Sequence, residues 1–378
     1  MYLATVKFLI IASLPESILK FRRMLIIALQ DRGFDVHVAS PGLISESADY
    51  KELLSLGVVP HSIRLSRRGL NPFIDIRALV DLLTLLNHLR PDYVLSYTIK
   101  PVIYGTLCAW LVGVRHRISM ITGLGVVFTK GSNETINRLT RGLIKRLYSM
   151  AFKLSSKIIF QNNDDRKLVV KLGILKDQQC TSVVNGSGVD LCEFTESKVT
   201  KRHNFLIISR LIASKGIREY INAARIIKES DPSVIFTVVG WLDEGKDSIG
   251  DNELRGWIEE GLINYLGVLK DVRPAIMECS VYVLPSYREG TPRSVLEAMA
   301  IGRPIITTDA PGCRETVDGS NGFLVPVGDV DSLVSAMRRF LDDPALIDVM
   351  SLRSLEIVRQ KYDVNIVNKD LLNCMDIL

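Results

Sequence analysis

Short apolar runs of strand length alternate with longer amphipathic segments along almost the whole chain of 378 residues. This alternation is typical of β-α-β units, which build a parallel sheet with helices on both faces. The predicted helices in the first half include Ser17–Arg32, Pro72–Leu89 and Glu134–Leu154. The predicted strands there are Val6–Ala12, Asp35–Ala39, Val58–Ile63, Tyr93–Ser96, Arg117–Ile121, Lys157–Gln161 and Cys180–Val184.

A second alternating set follows the polar stretch Glu193–Asn204, which we predict to be a linker. It contains the apolar runs Phe205–Ser209, Val234–Gly240, Ile263–Gly267, Val281–Leu284, Ile305–Thr308 and Phe323–Val325. The chain is too long for one ordinary core. We predict an α/β protein of two Rossmann-like, doubly wound domains facing each other across a cleft, at residues 1–195 and 200–358. A C-terminal helix at about residues 360–378 is expected to pack back on the first domain.

Composition excludes several classes of protein. A hydrophobic content of 47% with 24% charged residues is typical of a globular chain. The six cysteines are scattered and form no cluster with metal-ligand spacing, so we expect a reduced, cytoplasmic protein without a metal site. The longest uncharged stretch, Pro101–Val114, has 14 residues, and a membrane span needs about 20. No G-x-G-x-x-G string follows a predicted strand in the first half, so we expect no dinucleotide cofactor.

Positive charge is concentrated in the first half. Residues 1–195 contain 25 Lys and Arg against 15 Asp and Glu, a net charge of +10, whereas the remainder contains 22 against 27, a net charge of −5. The predicted helix at residues 134–155 carries much of the positive charge, interleaved with apolar residues. It is either an ordinary cover helix or an interfacial helix on an anionic membrane surface. No nucleic-acid fold signature accompanies the charge, so we expect no nucleic-acid partner.

The stretch Leu284–Glu315 holds two carboxylates, Glu289 and Glu297, on either side of a predicted helix start at Thr291-Pro292. Glu289 follows a strand, where open α/β sheets bind ligands, and Gly290 allows a ligand to approach the backbone. The first amides of the helix, at Arg293, Ser294 and Val295, form an anion site suited to phosphate. The alternative is that Glu297 only pairs with Arg293 at i, i+4 spacing and Glu289 is a solvated loop residue.

Two cations are predicted at the same sheet edge. Arg210 follows the strand Phe205–Ser209, and Lys215 stands just before the next predicted helix. Gly240 ends a third strand at this edge. A diphosphate would be held by the two cations together with the amides around Gly290. The alternative is that both cations are solvated loop residues.

These motifs resemble a known family when taken together. The strings are L-P-E-S-x-x-x-F-R, S-Y-T-I-K-P-x-x-Y-G, I-T-G-L-G, N-G-S-G-V-D, S-R-L-x-x-x-K-G and E-G-T-P-R-S-V-L-E, and they span nearly the whole chain. The chain resembles the family-4 retaining glycosyltransferases, which have the GT-B fold. Within that family it is similar to enzymes that extend polyprenyl-diphosphate-linked bacterial glycans, such as α-1,3-N-acetylgalactosaminyltransferases and capsule and O-antigen transferases.

The resemblance implies roles for particular residues. Arg210 and Lys215 would bind the nucleotide diphosphate, Glu289 the donor sugar and Glu297 the ribose, so that Glu289, Arg210 and Lys215 are the candidate catalytic residues. The remaining candidate donor-site residues are Gly240, Gly290, Thr291, Arg293 and Ser294. The candidate acceptor-side residues are Pro15, Glu16, Ser17, Arg22, Lys100, Gly123 and Gly125. Two places depart from broader family habit: Ser13-Leu14-Pro15 stands where many members have a glycine pair, and Tyr97-Thr98-Ile99-Lys100 where many have a histidine.

The resemblance also implies the reaction. The donor would be a UDP-sugar, with N-acetylgalactosamine or another N-acetylhexosamine as the leading choice, and the acceptor a polyprenyl-diphosphate-linked saccharide. The enzyme would lie at the inner face of the cell membrane. Positive groups of the protein are expected to neutralise the leaving diphosphate, with no metal and no cofactor. The alternatives are an enzyme like the UDP-N-acetylglucosamine 2-epimerases, a GDP-mannose-dependent mannosyltransferase and a non-catalytic module that binds a sugar nucleotide.

Overall fold

The computed structural model describes residues 5–66, 71–124, 138–176, 179–199, 203–243, 245 and 247–377. The chain forms two compact units. Unit 1 contains Met1–Ser187 and Val367–Leu378, and unit 2 contains Gly188–Ile366. Unit 1 therefore ends before the stretch that we predicted to be the linker, and the chain returns to unit 1 at Val367.

Unit 1 is a seven-stranded parallel sheet in the order β3-β2-β1-β4-β5-β6-β7. The strands are β1 (Lys7–Ile11), β2 (Asp35–Ser40), β3 (Val59–Ser62), β4 (Tyr93–Tyr97), β5 (His116–Ile121), β6 (Lys157–Phe160) and β7 (Thr181–Val183). The helices are α1 (Pro15–Gln30), α2 (Ala48–Ser55), α3 (Pro72–Leu89), α4 (Thr106–Leu111), α5 (Arg138–Leu154) and α6 (Asn163–Lys171), with a π-helical turn at Pro101–Gly105 before α4.

Strand β1 shows why the sheet of unit 1 is covered on both faces. The four residues after Lys7 are apolar and buried, as expected for a central parallel strand. Phe8 and Ile10 pack in one cluster with residues of α1, whereas Leu9 and Ile11 pack in another with residues of α3 and α4. The side chains alternate because successive residues of a strand point to opposite faces.

Unit 2 is a six-stranded parallel sheet in the order β10-β9-β8-β11-β12-β13. The strands are β8 (Asn204–Ile208), β9 (Ile235–Val239), β10 (Asn264–Tyr265), β11 (Val281–Leu284), β12 (Ile305–Thr308) and β13 (Gly322–Val325). The helices are α7 (Ile217–Ser230), α8 (Asp251–Glu259), α9 (Arg273–Glu278), α10 (Arg293–Ala300), α11 (Val330–Asp342) and α12 (Ala345–Ile357). A last helix, α13 (Val364–Cys374), brings Leu371 and Leu372 into the core of unit 1.

Each sheet has one point at which the strand order reverses. In unit 1 it lies between β1 and β4, and in unit 2 between β8 and β11. The loops that follow the two strands at such a point diverge to opposite sides and leave a crevice, where doubly wound sheets bind their ligands. The structure thus confirms two doubly wound parallel sheets. The loops that follow β1, β4, β8 and β11 are the expected ligand-binding regions. Within the described part of the chain, no helix combines the length and the apolar character needed to cross a bilayer.

Candidate functional site

Apart from Gly240, which follows β9, the predicted donor-site residues of unit 2 follow the two strands at its switch point, β8 and β11. We call Ser209–Gly216, which follows β8, the cation loop, and Pro285–Pro292, which follows β11, the glutamate loop. Strands β8 and β11 are hydrogen-bonded neighbours. The two motifs, far apart in sequence, are therefore brought to one edge of one sheet.

The two loops are joined by a direct polar contact. Lys215 donates a hydrogen bond from Nζ to Oε1 of Glu289, and both side chains are largely buried. Ser286 donates a second hydrogen bond to the same Oε1 at 2.8 Å. The carboxylate of Glu289 is thus held by a cation from one loop and a hydroxyl from its own loop, which excludes the alternative of a solvated loop residue.

Arg210 also has a carboxylate partner, and it comes from a third loop. Nη1 of Arg210 donates to Oδ2 of Asp243 at 2.8 Å. Asp243 lies just beyond Gly240 at the end of β9. Asp247, in the same loop, accepts hydrogen bonds from the amide and the hydroxyl of Ser214. The loop after β9 therefore fixes the cation loop through two aspartates.

Three glycines allow these loops to approach one another. A Cβ on Gly216 would lie 2.1 Å from the carbonyl oxygen of Pro285, and one on Gly240 would lie 1.8 Å from that of Ser209. A Cβ on Gly312 would lie 2.3 Å from the carbonyl oxygen of Glu289. All three glycines also have positive φ, which side chains disfavour. Gly240, predicted at the donor site, has at least this structural role.

Helix α10 begins one residue later than we predicted, with Pro292 at the cap position. The amide of Val295 donates to the carbonyl of Pro292 at 3.1 Å, so it is not one of the outward-facing donors that the sequence suggested. Nε of Arg293 donates to Oε1 of Glu297 at 3.0 Å, which is the i, i+4 pairing considered above. Ser294 hydrogen-bonds Tyr282, and burial nevertheless raises the pKa of that tyrosine.

Tyr287 connects the glutamate loop to helix α7. Its amide donates to the carbonyl of Ser214 at 2.9 Å, and its hydroxyl donates to Oε1 of Glu219 at 2.7 Å. Burial, followed by the bond to Glu219, raises the pKa of Tyr287 to about 12. The phenol therefore stays protonated at physiological pH and joins the glutamate loop to α7, whereas the amide of Tyr287 links the two loops a second time.

In unit 1, the loops after β1 and β4 meet at the switch point. Oγ of Ser13 lies 2.9 Å from Oγ1 of Thr98, and Oγ of Ser17 lies 2.9 Å from the hydroxyl of Tyr97. Pro15 is the first residue of α1, and Glu16 beside it is exposed. Small hydroxyl groups therefore occupy the place where many members of the family that this sequence resembles have glycines.

Two predicted acceptor-side residues are buried inside unit 1. Arg22 is 2% exposed, with its guanidinium carbon 5.1 Å from the ring centre of Tyr97. Lys100 is 8% exposed and donates from Nζ to Oδ1 of Asp75 at 2.6 Å. A direct contact with an acceptor would first require each side chain to move. Gly123 follows β5 with a φ of 122°, and Gly125 lies outside the described residues.

The basic helix of unit 1 begins, in its described part, at Arg138; the predicted residues 134–137 lie outside that part. Ile144, Tyr148 and Phe152 are buried at helical spacing. On the opposite side Leu139 is 85% exposed and Leu143 about half exposed. The helix therefore does cover the sheet, and it also presents apolar side chains to solvent.

Among the described residues there is no group of His, Cys, Asp or Glu that could hold a metal ion. An Asp-x-Asp string, the spacing of a common metal motif, does occur at Asp329-Val330-Asp331. Asp329 caps α11, since its Oδ1 accepts from the amide of Ser332 at 2.9 Å. This string therefore has a structural role at a helix start.

Sequence reasoning missed Asp243, Asp247 and Ser286. Asp243 contacts Arg210, Asp247 contacts Ser214 of the cation loop, and Ser286 contacts Glu289. The one available signal was position, because Asp243 and Asp247 follow a predicted strand at the ligand-binding edge of the sheet. Nothing in the sequence pairs Asp243 with Arg210 or Asp247 with Ser214, since those contacts join residues 33 positions apart.

Two family models match the chain. Residues 202–343 match the model described as "Glycosyl transferases group 1", and residues 13–162 match "Glycosyl transferase 4-like".

Among curated proteins, the chain is 28% identical over 95% of its length to a Campylobacter jejuni protein, of which it covers 96%. That relative is named N,N'-diacetylbacillosaminyl-diphospho-undecaprenol alpha-1,3-N-acetylgalactosaminyltransferase. The chain is 26% identical over 85% of its length to an Escherichia coli protein, of which it covers 84%, named UDP-Gal:alpha-D-GlcNAc-diphosphoundecaprenol alpha-1,3-galactosyltransferase.

Solved structures agree on the fold. The Anabaena protein HepE in complex with UDP and glucose matches with a TM-score of 0.77 over 99% of this chain and 100% of that one, at 17% identity. Sucrose-phosphate synthase from Thermosynechococcus elongatus matches with a TM-score of 0.79 over 97% of this chain and 98% of that one, also at 17% identity. The likeness confirms the GT-B fold expected from the sequence.

Proposed function

The chain belongs to the group 1 glycosyltransferases, and we propose that it moves a sugar from a UDP-sugar to a polyprenyl-diphosphate-linked saccharide. The linkage formed is α, with retention at the sugar, in the synthesis of a bacterial surface glycan or glycoprotein glycan. The observation that carries the proposal is the contact of Lys215 with Glu289, which joins the two motif loops at the switch point of unit 2. We propose the nucleotide from the name of the Escherichia coli relative, which contains UDP, and the lipid carrier from the names of both relatives.

We propose the following arrangement of the donor along unit 2. Its diphosphate lies between Arg210 and Lys215 of the cation loop and the start of α10, at Thr291, Arg293 and Ser294. The sugar lies against Glu289 and Gly290, and the ribose against Glu297, which reaches it after the contact with Arg293 is rearranged. Two cations and a helix N-terminus then stabilise the negative charge that grows on the leaving diphosphate, without a metal.

The sugar itself is proposed from the relatives. The Campylobacter jejuni relative is named for N-acetylgalactosamine transfer and the Escherichia coli relative for galactose transfer. Both sugars have an axial hydroxyl at C4. We therefore propose UDP-N-acetylgalactosamine as the donor, with UDP-galactose as the comparison and UDP-N-acetylglucosamine as the C4 epimer that the site should reject.

The acceptor and the membrane are proposed to contact unit 1. Glu16 and Ser17 lie in the first turn of α1, just after β1, and Gly123 lies in the loop after β5; a saccharide could bind at these carboxyl ends of the strands. Helix α5 exposes Leu139 and Leu143 beside basic residues, a combination that binds anionic lipid surfaces. The protein would then lie on the cytoplasmic face of the membrane that holds its acceptor.

The nucleotide is tested first by thermal shift with UDP, GDP and ADP, because a ligand that binds only the folded protein raises its melting temperature. Transfer is then measured with the three UDP-sugars on a lipid-linked acceptor, with and without chelator. Stabilisation by UDP and transfer that survives chelation are expected. Stabilisation by GDP alone would overturn the UDP assignment, and loss of transfer to the chelator would overturn the metal-independent mechanism.

Membrane binding is tested by co-sedimentation with vesicles that contain phosphatidylglycerol. Leu139→Ser together with Leu143→Ser should release the protein, whereas Leu352→Ser, a change at an exposed leucine of unit 2, should not. Equal binding of the wild type to vesicles of neutral lipid would remove the electrostatic part of the proposal.

A further inference from the structure

The contact between Arg210 and Asp243 is built into the fold of unit 2. The side chain of Asp243 is only 11% exposed, and its Oδ2 lies 2.8 Å from Nη1 of Arg210. The backbones on either side are locked together, because the amide of Leu211 donates to the carbonyl of Trp241 at 2.9 Å and that of Ala213 to the carbonyl of Asp247 at 2.7 Å. The carboxylate is thus held close to the guanidinium by hydrogen bonds that do not involve either side chain.

A second pair, Lys215 with Glu289, has the same character. Both cations assigned to the diphosphate therefore hold a carboxylate of the protein. The two pairs differ in one respect: Glu289 is assigned to the donor sugar, whereas Asp243 has no assigned role in the reaction. A diphosphate that binds Arg210 takes the place of the Asp243 carboxylate or shares the guanidinium with it, and the two anions then repel each other.

We propose that Asp243 is an internal competitor of the nucleotide diphosphate for Arg210. The carboxylate neutralises the guanidinium in the empty site, yields it to the incoming donor diphosphate, and takes it back as the nucleoside diphosphate product leaves. Asp243 thereby weakens the binding of donor and product and favours release. This inference rests on the proposed assignment of Arg210 to a diphosphate, and it requires no movement of the backbone.

The test is the affinity of Asp243→Asn for three probes, measured by calorimetry: UDP, inorganic pyrophosphate and uridine. Asparagine has nearly the same shape and keeps a hydrogen-bond acceptor, but it removes the charge. UDP and pyrophosphate should bind about three- to tenfold more tightly than to the wild type, in the range of a partly exposed ion pair. Uridine has no phosphate, so its affinity should not change.

Two further variants make the result specific. Glu260→Gln removes the same charge from another arginine pair of unit 2, that of Arg225 and Glu260, and should leave all three affinities unchanged. In an Arg210→Ala background, Asp243→Asn should give much less than its gain in the wild type, because the competition is for that guanidinium. Thermal melting of each variant reports whether it is folded.

The outcomes separate this inference from the proposed function. Weaker UDP binding by Asp243→Asn would overturn the inference and make Asp243 a residue that positions Arg210. An unchanged affinity would overturn it too. If the wild type binds GDP or ADP in place of UDP, the proposed donor is wrong, and the same comparison is made with that nucleotide. If it binds neither pyrophosphate nor any nucleoside diphosphate, the diphosphate site on which both proposals rest is wrong.

Discussion

Lys215 and Glu289 stand 74 residues apart in the chain, and their side chains are hydrogen-bonded to each other. Ser286 donates to the same carboxylate oxygen, and its hydroxyl lies 3.2 Å from the carbonyl of Ser214 in the cation loop. The orientation of Glu289 therefore depends on two loops. In the proposed donor complex, Lys215 contacts both the glutamate and a phosphate, so that one connected group positions the donor sugar and the diphosphate.

Glu289→Gln should abolish transfer and preserve nucleotide binding. The amide has the shape of the carboxylate but not its charge, and the loss of one electrostatic contact at a reacting centre typically lowers kcat about 100-fold or more. The measurements are transfer to the lipid-linked acceptor and calorimetry with UDP. Loss of UDP affinity together with activity would mean that Glu289 supports the nucleotide site rather than the sugar.

Lys215→Met should weaken UDP binding by at least about tenfold, because a charged hydrogen bond contributes about 1.5–3 kcal/mol. The change also leaves the carboxylate of Glu289 without its cation, next to the incoming phosphates. Uridine affinity is the internal control and should hardly change. A similar loss for uridine and UDP would indicate that the variant distorts the glutamate loop rather than removing a phosphate contact.

The sheet architecture could be predicted because its signal is local. A parallel strand buried on both faces is a short apolar run, and Val281–Leu284 and Ile305–Thr308 were predicted with the bounds that the structure gives them. The shortest strand was harder to place. Strand β10 has only two residues, Asn264 and Tyr265, where a five-residue strand was expected. It pairs with β9 through these two residues, so its sequence contains no apolar run long enough to indicate where the strand begins and ends.

From the sequence we could predict which strands carry the candidate site, but not which of its side chains contact one another. Parallel strands bring their carboxyl ends to one edge, so Arg210 and Glu289 could be placed together from the sequence. Which carboxylate meets which cation depends on loop conformation and on contacts between distant residues. Asp75 shows this in unit 1: it lies in a predicted helix, and nothing in the local pattern indicates that it holds Lys100 inside the unit.

Gly216→Ala should destabilise the protein more than Gly261→Ala. Both glycines have φ near 70°, where an alanine costs about 1–2 kcal/mol. A Cβ on Gly261 would meet nothing within 4 Å, whereas one on Gly216 would overlap the carbonyl of Pro285. The additional overlap should cost at least about 1 kcal/mol. Urea unfolding compares the two variants, and equal losses would show that the two loops can separate at no cost.

Arg303→Met should be among the most destabilising changes in unit 2. The side chain is fully buried and donates to carbonyl oxygens of three segments, including those of Ile276 and Met277 at 2.9 Å and that of Ser197 at 2.9 Å. Burial lowers the pKa of its guanidinium, and the bonds to carbonyl oxygens offset part of the cost of keeping that charge inside the unit.

Methionine would fill much of the volume and leave several buried carbonyl groups without a donor, at a cost of at least about 3 kcal/mol. Arg303→Lys should recover only a small part of this loss, because one ammonium group cannot reach acceptors on both sides of a planar guanidinium. Arg255→Ala, which removes an exposed pair with Asp251, is the control and should change stability by less than about 1 kcal/mol. Urea unfolding of the three variants measures the differences. A loss for Arg303→Met no larger than that of Arg255→Ala would show that water replaces the guanidinium, and that the carbonyl cluster does not need it.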